Sequence, residues 1–215
     1  SQIGRLSSWR AVSTAGGTTG AFSLATKTDG TLWGFGNNVG GQLGLGNTTN
    51  LSSPVQVGTL TNWKQLSTGR NYSAAVKTDN TLWTWGTNTY GNLGGLAAGT
   101  GNVADRSSPV QVGTAYSWKQ VSAGGGTFMY TMAIQNNNTL WAMGGDNASG
   151  QLGDGTTTRR SSPVQIGALT QWSQVSAGND HTMAIMTDGT LWGWGNNTNG
   201  LLGAGQAYYA TAWSS

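Results

Sequence analysis

A segment of about fifty residues recurs four times along this chain of 215 residues, and this recurrence restricts the fold more than any other feature. The sequence S-S-P-V-Q-V-G at 52–58 returns with little change at 107–113 and 161–167. Matching tryptophans are spaced 54, 55 and 54 residues apart, at Trp9, Trp63, Trp118 and Trp172. A period of this length is typical of supersecondary units that bury their apolar faces against one another.

Each unit contains four short segments with strand character, named A to D. In the fourth unit, residues 172–176 alternate apolar and polar side chains, 182–186 form a more apolar run, and 190–194 follow a short turn. Strand D is predicted at 54–57 and its two copies, where proline suits the first residue of a strand or an outer edge. Four antiparallel strands per unit predict an all-β fold built from β-propeller blades.

The turns between strands B and C combine Asp or Asn with Gly or Asn. Such pairs predict two-residue hairpins in which both residues adopt positive φ. The four turns are Asp29-Gly30, Asp79-Asn80, Asn137-Asn138 and Asp188-Gly189.

The motifs W-x-x-V-S-x-G, H-T-x-A, D-G-T-L-W-x-W-G-x-N, G-x-L-G-x-G and S-P-V-Q follow one another in the same order from residue 2 to about 205. This series resembles the regulator of chromosome condensation repeat. The resemblance implies a β-propeller, commonly of seven blades, that serves as a protein-binding platform. Similar repeats form a guanine-nucleotide exchange factor that docks on chromatin and a secreted bacterial inhibitor of β-lactamases.

The number of blades stays open at this point. Residues 1–4 match the end of a strand D, and the fourth unit lacks a strand D of its own. Sixteen strands are therefore predicted, which allows a closed four-blade ring, a fragment of a larger propeller, or an arc that another chain completes. Residues 206–215 fit no repeat and are expected to form a C-terminal anchor or a frayed end. Within 1–205, the units are about 5–58, 59–113, 114–167 and 168–205.

The composition argues against several classes of function. Only 8% of the residues are charged, glutamate is absent and the net charge is +3. The clustered basic stripe of a nucleic-acid-binding protein is missing, so no nucleic acid is expected. No apolar run reaches membrane-spanning length. Without cysteine, one histidine cannot build a zinc site, and oxygen-rich loops such as that of Asp146 and Asp154 are common without metal. We therefore expect no cofactor and no metal.

No catalytic centre is predicted. His181 is the only histidine, and its equivalents in the other units are Phe22, Tyr72 and Tyr130. A position that accepts aromatic rings within one chain indicates packing or hydrogen bonding rather than catalysis. Three of the seven aspartates lie in the B–C turns, and no two carboxylates are placed for acid–base chemistry.

Ten of the eleven tryptophans occupy repeat positions, which favours packing between blades over stacking on carbohydrate. Trp85 and Trp194 lie two residues beyond a strand C tryptophan and therefore on the same side of the strand. The predicted structural core consists of Trp9, Trp33, Trp63, Trp83, Trp118, Trp141, Trp172 and Trp192.

The connections of an antiparallel blade emerge on two opposite sides. The A–B and C–D connections share one side, called the loop face, and the B–C turns share the other, called the turn face. Only the loop face varies in length, with extra residues around 125–129 and at 96–105. Because loops on a rigid scaffold often carry binding sites, we predict that this face contacts a protein partner or neighbouring subunits. Arginine and aromatic residues are frequent interface anchors, and the candidates are Arg70, Tyr90, Arg106, Phe128, Arg159 and Arg160.

These patterns predict a non-enzymatic propeller that serves as a structural or recognition module. The low charge, the missing glutamate and the abundance of Thr, Asn and Gly favour an extracellular protein or the surface of a virus particle, such as a phage tail or capsid. One alternative is a guanine-nucleotide exchange factor for a small GTPase, although no wedge-like insertion or acidic patch is visible. Another alternative is a secreted enzyme inhibitor or a lectin.

Overall fold

In the computed structural model, residues 7–16, 20–95, 103–114 and 117–203 are described, and they form fifteen β-strands in four antiparallel sheets. Blade 1 consists of β1 (Trp9–Ala15), β2 (Phe22–Lys27), β3 (Leu32–Gly36) and β4 (Leu51–Gln56). Blade 2 consists of β5 (Trp63–Thr68), β6 (Tyr72–Lys77), β7 (Leu82–Gly86) and β8 (Arg106–Gln111). Blade 3 consists of β9 (Trp118–Gly124), β10 (Tyr130–Gln135), β11 (Leu140–Gly144) and β12 (Arg160–Gln165). Blade 4 consists of β13 (Trp172–Ala177), β14 (His181–Met186) and β15 (Leu191–Gly195), followed by a short 3-10 turn, Thr198–Gly200.

Within each blade the strands are hydrogen-bonded in chain order, from A to D. The predicted positions of strands A, B and C agree with the structure to within about one residue at each end. The predicted start of strand D is wrong, because β4 begins at Leu51, three residues before Pro54. Gly34 and Gly36 are two positions apart, whereas their partners Val55 and Leu51 are four positions apart, so β4 bulges between them. This bulge allows Leu51 to pair with Gly36, which extends the ladder. Pro54 nevertheless lies in an edge strand, as expected of a residue without an N–H group.

The B–C turns are three-residue turns rather than two-residue hairpins. In blade 1, the N–H of Gly30 donates to the carbonyl of Lys27 at 3.0 Å, and the N–H of Lys27 donates to the carbonyl of Thr31 at 3.1 Å. Gly30 has a φ of 79°, whereas Asp29 does not adopt positive φ. This pattern is a turn closed by one left-handed residue. The expectation of positive φ at both turn residues is therefore wrong.

The Asp or Asn in the middle of each three-residue B–C turn instead accepts hydrogen bonds from the T-L-W motif. Asp29 Oδ1 accepts from the N–H and the hydroxyl of Thr31, at 2.9 and 2.7 Å. The indole Nε1 of Trp33 in turn donates to Thr31 Oγ1 at 2.8 Å. The same chain of bonds recurs in all four blades, with Asp79, Asn137 and Asp188 as the acceptors.

Consecutive blades are joined along their A strands. The Gln65 side chain donates to the carbonyl of Val121 and accepts from the Val121 N–H, both at 2.8 Å. Gln120 makes the same pair of bonds with Val175 of blade 4, at 3.2 and 3.1 Å. Ala11 occupies the equivalent position in blade 1, so the glutamine bonds are absent there. Arg10 donates to the carbonyl of Trp63, as Lys119 does to the carbonyl of Trp172 at the joint of blades 3 and 4. The A strands therefore form the innermost layer of the arrangement.

The hydrophobic core lies between blades, in three clusters. The side of a blade that points toward the following blade is called its leading face, and the opposite side is called its trailing face. In each cluster, the leading face of one blade packs against the trailing face of the next blade in the chain. The first cluster combines Leu24 and Leu43 of blade 1 with Trp63 and Trp85 of blade 2. Of the predicted core tryptophans, Trp63, Trp118 and Trp172 are buried, whereas Trp9, Trp33, Trp83 and Trp141 are half-buried and Trp192 is exposed.

The described residues form an open arc of blades. Val12, on the trailing face of blade 1, is 68% exposed, although the equivalent Val121 and Val175 are buried. Leu191, on the leading face of blade 4, is 64% exposed, although Leu140 at the same position is buried. The predicted strand at 1–4 and the predicted C-terminal anchor at 206–215 lie outside the described residues.

Candidate protein-binding surface on the loop face

Three of the six predicted contact residues meet on the loop face, where blades 2 and 3 adjoin. The rings of Tyr90 and Phe128 pack edge to face, with centroids 5.6 Å apart and an interplanar angle of 86°. The guanidinium carbon of Arg159 lies 5.1 Å from the centroid of the Tyr90 ring. These three residues, called the aromatic–arginine cluster, come from the C–D loop of blade 2 and the A–B and C–D loops of blade 3.

The arginine of this cluster is held in place but stays accessible. Its Nη2 lies 3.7 Å from Asp146 Oδ1, and the two side chains are 42% and 44% exposed. Its Nη1 also donates to the carbonyl of Thr89 at 3.4 Å. An exposed ion pair of this length contributes little to stability, so Arg159 can exchange Asp146 for another carboxylate at low cost.

A glycine-rich loop positions Phe128. The N–H of Gly125 donates to the carbonyl of Gly178 in blade 4 at 2.6 Å, which fixes the start of the loop. Gly125 adopts a φ of +88°, and a Cβ there would lie 2.4 Å from the carbonyl oxygen of Phe128. The turn therefore requires glycine. The three extra residues of this unit serve to bring Phe128 to the ring of Tyr90.

Arg70 lies nearer the centre of the arc. It donates to the carbonyl of Gly126 at 3.3 Å, and it borders a cavity of about 490 Å³ between the inner ends of the blades. Glycine backbone and the side chains of Thr68, Thr127 and Asn179 form much of the remaining wall. Arg70 is the one charged side chain among the described residues that line this cavity.

The structure places Arg160 and Arg106 away from the cluster. Arg160 Nε donates to Asp154 Oδ2 at 2.6 Å, and the Asp154 side chain is 3% exposed. Burial acts to raise the pKa of Asp154, but the hydrogen bonds from Arg160 and Thr156 outweigh it and hold the pKa below its ordinary value. Arg106 opens strand β8, where it is half-buried and pairs with Gly86.

The other polar groups show structural rather than chemical arrangements. Hydrogen bonds from Thr31 lower the pKa of Asp29, and those from Thr81 do the same for Asp79. His181 occupies the place of Tyr72 and Tyr130, and its carbonyl accepts from the Tyr130 hydroxyl at 2.5 Å. In the part of the chain that the structure describes, no three His, Cys, Asp or Glu side chains gather as metal ligands, and no helix there has the length and apolarity to span a membrane.

Two neighbours of the cluster carry no signal in the sequence that would assign them to it. Asp146 lies in the same C–D loop of blade 3 as Arg159, and the fold of that loop brings the two side chains to 3.7 Å. Thr89 precedes Tyr90 in the C–D loop of blade 2 and contributes its backbone carbonyl, which the stacking of blades 2 and 3 brings to Arg159.

Antiparallel blades joined along their A strands, with long loops gathered on one side, define a β-propeller architecture. The model of the regulator of chromosome condensation (RCC1) repeat matches residues 29–76, 79–132 and 137–185, and a second model of this repeat matches 63–92 and 172–201. The chain belongs to the RCC1 repeat family.

The relatives include a receptor and two proteins named as regulators. The ultraviolet-B receptor UVR8 of Arabidopsis thaliana is 34% identical over 187 residues, which is 86% of this chain and 41% of the relative. The human regulator of chromosome condensation is 32% identical over 106 residues, which is 47% of this chain and 24% of the relative. The X-linked retinitis pigmentosa GTPase regulator of Canis lupus familiaris is 36% identical over 77 residues, which is 34% of this chain and 8% of the relative. The chain thus spans less than half the length of these relatives.

Solved structures share the fold. Prp20p of Saccharomyces cerevisiae, described with its binding properties to Gsp1p and histones, superimposes with a TM-score of 0.77 at 19% identity, over 95% of this chain and 49% of that one. Human WBSCR16 superimposes with a TM-score of 0.74 at 24% identity, over 93% of this chain and 50% of that one. The arc therefore corresponds to about half of each of these larger propellers.

Proposed function

We propose that this protein is a non-enzymatic binding module that recognises a protein partner through the aromatic–arginine cluster on its loop face. The observation that carries the proposal is the convergence of Tyr90, Phe128 and Arg159 from three different loops. Aromatic residues and arginine dominate the binding energy of many interfaces. The family relationship supports the same reading, since two relatives are named as regulators and one as a receptor.

The chemistry of the cluster indicates what the partner presents. The edge-to-face pair offers an apolar surface, and Arg159 offers a cation whose present partner, Asp146, is weakly bound. A partner with a carboxylate next to an aromatic or aliphatic side chain would displace Asp146 and cover the rings. Arg70 adds a second positive charge toward the centre of the same face.

Matched double variants test this proposal. Phe128→Ala with Arg159→Ala removes one ring and one cation from the loop face, while Lys64→Ala with Thr187→Ala removes one cation from the exposed turn face. The wild-type chain and both variants are immobilised, and proteins are captured from an extract of the native source. Each captured protein is then purified, and calorimetry measures its affinity for the wild-type chain and for each variant. We expect at least about tenfold weaker binding for the loop-face variant alone. Loss of binding in the turn-face variant alone would contradict the proposal.

A second candidate is the regulation of a small GTPase by nucleotide exchange. The similarity to the human regulator of chromosome condensation and to the dog GTPase regulator favours it. The assay measures release of fluorescent GDP from purified Gsp1p with and without the chain. Accelerated release that Phe128→Ala with Arg159→Ala abolishes would support this candidate, and release at the spontaneous rate would exclude it for Gsp1p.

The location outside a cytoplasm, on a secreted protein or a virus particle, rests on composition alone. The names of the relatives lend it no support, since one of them is the mitochondrial protein RUG3 of Arabidopsis thaliana. The secreted-inhibitor and lectin alternatives have no observation in their favour beyond the shared fold.

A further inference from the structure

The inner ends of the four A strands line the cavity of about 490 Å³ that Arg70 borders, here called the central cavity. In each blade the end of strand A carries the pair Ala-Gly or Thr-Gly, at 15–16, 68–69, 123–124 and 177–178, and all of these residues line the cavity. The A–B loops of blades 2, 3 and 4 add Arg70, residues 125–127 and Asn179 to the wall. The volume lies within the range of about 300 to 1,000 Å³ that is typical of ligand-binding sites.

Packing inside the blades fixes this wall. The side chain that begins strand B lies over the glycine that ends strand A, since a Cβ at Gly69 would lie 2.1 Å from the ring of Tyr72 and a Cβ at Gly178 would lie 2.5 Å from the ring of His181. The N–H groups of Gly69 and Gly178 also donate to the carbonyls of Tyr72 and His181, at 3.0 and 2.9 Å. A ligand therefore meets a wall that is already ordered, which lowers the entropic cost of binding.

Arg70 gives the central cavity its charge. In the part of the chain that the structure describes, the ion pairs are those of Arg159 and Arg160, so Arg70 has no carboxylate partner there. Its Nη1 donates to the carbonyl of Gly126 at 3.3 Å, which is a long bond to a neutral acceptor. The side chain is half-buried, and this bond leaves most of the N–H donors of the guanidinium unused. Arg70 is therefore placed to bind an anion.

The composition of the wall indicates which anion fits. Apart from Arg70, the described lining residues are Gly, Ala, Thr and Asn, so a ligand meets backbone amides and hydroxyl groups rather than rings or long aliphatic side chains. A planar guanidinium matches a carboxylate through two parallel hydrogen bonds, and its single charge balances a single negative charge. Asp180 adjoins a lining residue in sequence, but it accepts from Asn179 Nδ2 at 2.9 Å and does not line the cavity. A carboxylate carried by a peptide therefore suits this cavity better than a phosphate dianion or an apolar ligand.

The central cavity and the aromatic–arginine cluster share one loop. Residues 125–127 line the cavity, and Phe128, which follows them, packs against Tyr90. A single partner surface can therefore cover the cluster and reach into the cavity.

We infer that the central cavity receives the carboxylate of an aspartate or glutamate side chain of the partner protein, with Arg70 as its anchor. Arg70 binds the carboxylate through the donors that its bond to Gly126 leaves unused, and the glycine backbone of the wall contacts the peptide groups on either side. This inference deepens the proposed function and rests on it for the identity of the partner as a protein.

An NMR titration with short peptides tests this inference. The probe is acetyl-Gly-Glu-Gly-amide, added to the nitrogen-15-labelled chain, and the matched control ligand is acetyl-Gly-Gln-Gly-amide, which has the same size and no charge. We expect the glutamate peptide to shift the signals of the amides at 124–127 and of the Arg70 side chain in a saturable manner. The glutamine peptide should bind at least about tenfold more weakly, because it loses the charge-assisted bonds.

Variants of the chain identify the anchor. Arg70→Gln should weaken binding of the glutamate peptide at least about tenfold. Lys64→Gln is the matched control, because it lowers the net charge equally at an exposed residue of the turn face and should leave the affinity unchanged. Arg70→Lys keeps the charge but loses the planar fork, so its affinity should fall between those of the wild type and Arg70→Gln.

Four results would each overturn the inference. They are the absence of saturable shifts in the wild type, equal binding of the two peptides, equal weakening in Arg70→Gln and Lys64→Gln, and tighter binding of inorganic phosphate than of the glutamate peptide. Failure here is distinguishable from failure of the proposed function, because Tyr90, Phe128 and Arg159 do not line the cavity. A chain that captures its partner through the cluster but does not bind the glutamate peptide would retain the proposed function and lose this inference.

Discussion

The backbone carbonyl of Gln151 accepts a hydrogen bond of 3.0 Å from the indole nitrogen of Trp194 in the next blade. The same carbonyl accepts from the hydroxyl of Thr182 at 2.8 Å. Gln42 repeats the arrangement at the first joint, where its carbonyl accepts from Trp85 and Ser73. The G-x-L-G loop of one blade thus binds the buried tryptophan of the following blade, which explains why this motif recurs with the tryptophans.

Gly153→Ala should destabilise the protein more than Gly155→Ala. Both glycines adopt positive φ, at 77° and 75°, so both substitutions incur about 1 to 2 kcal/mol of backbone strain. A Cβ at Gly153 would also lie 2.6 Å from Trp194 Nε1, whereas a Cβ at Gly155 meets nothing within 4 Å. Urea unfolding of the two variants isolates the clash, since the strain is common to both. Equal losses would show that this loop does not approach Trp194.

Most of the repeat architecture follows from the sequence, because strand periodicity and turn residues are local properties. Strands A, B and C are predictable for this reason. The start of strand D is not, because the bulge in β4 between Leu51 and Val55 depends on how β4 pairs with β3. The role of Gln151 is equally hidden, since a backbone carbonyl carries no sequence signal and its partner lies in another blade.

The candidate site is predictable in location but not in membership. Loop-length variation identifies the loop face, and the preference of interfaces for arginine and aromatic residues selects Tyr90, Phe128 and Arg159. The same preference also selects Arg160, whose guanidinium is bound by Asp154 inside its own blade. Composition cannot separate Arg159 from Arg160, because the difference depends on which carboxylate each side chain reaches.

Thr81→Val should cost about 1 to 2 kcal/mol of unfolding free energy. The Thr81 hydroxyl donates to Asp79 Oδ1 at 2.6 Å and accepts from Trp83 Nε1 at 2.7 Å, and the side chain is buried. Valine keeps the shape but leaves the half-buried indole N–H of Trp83 without its acceptor, whereas the exposed Asp79 carboxylate keeps the bond from the residue 81 N–H. Thr190→Val removes the same bonds at an exposed turn, where water replaces them, so its cost should stay below about 0.5 kcal/mol.

The Thr81→Val substitution should also raise the pKa of Asp79, because the hydrogen bond from the Thr81 side chain lowers this pKa in the wild type. Carbon-13 NMR titration of the carboxyl group measures this change directly. An unchanged pKa would show that the Asp–Thr–Trp chain does not form in solution.

Asp154→Asn should destabilise the protein at neutral pH and have little effect in acid. The pKa of Asp154 is lowered in the folded state, so the ionised carboxylate contributes stability above its unfolded pKa, near the ordinary value of 3.8, and loses it as the pH falls through the folded value. We expect a loss of about 1 to 3 kcal/mol at pH 7 that shrinks below pH of about 4. Thermal unfolding as a function of pH measures the difference.

Asp146→Asn is the matched control for that series. Asp146 pairs with Arg159 at 3.7 Å with both side chains exposed, so its substitution should change the stability by less than about 0.5 kcal/mol at either pH. A pH-independent loss in Asp154→Asn, or an equal loss in both variants, would contradict the assignment of Arg160 to Asp154.

Consecutive blades stack with strand A of one beside strand A of the next. Ser13 Oγ in blade 1 lies 2.9 Å from Thr68 Oγ1 in blade 2, and the chain contains no cysteine. In the variant with Ser13→Cys and Thr68→Cys, mild oxidation should therefore form one disulfide within a single chain, identified by mass spectrometry of the digested protein. The variant with Ser13→Cys and Ala123→Cys places its two cysteines in blades 1 and 3. Because these blades are not adjacent, the two thiols should stay reduced. A disulfide in the second pair but not in the first would contradict the account.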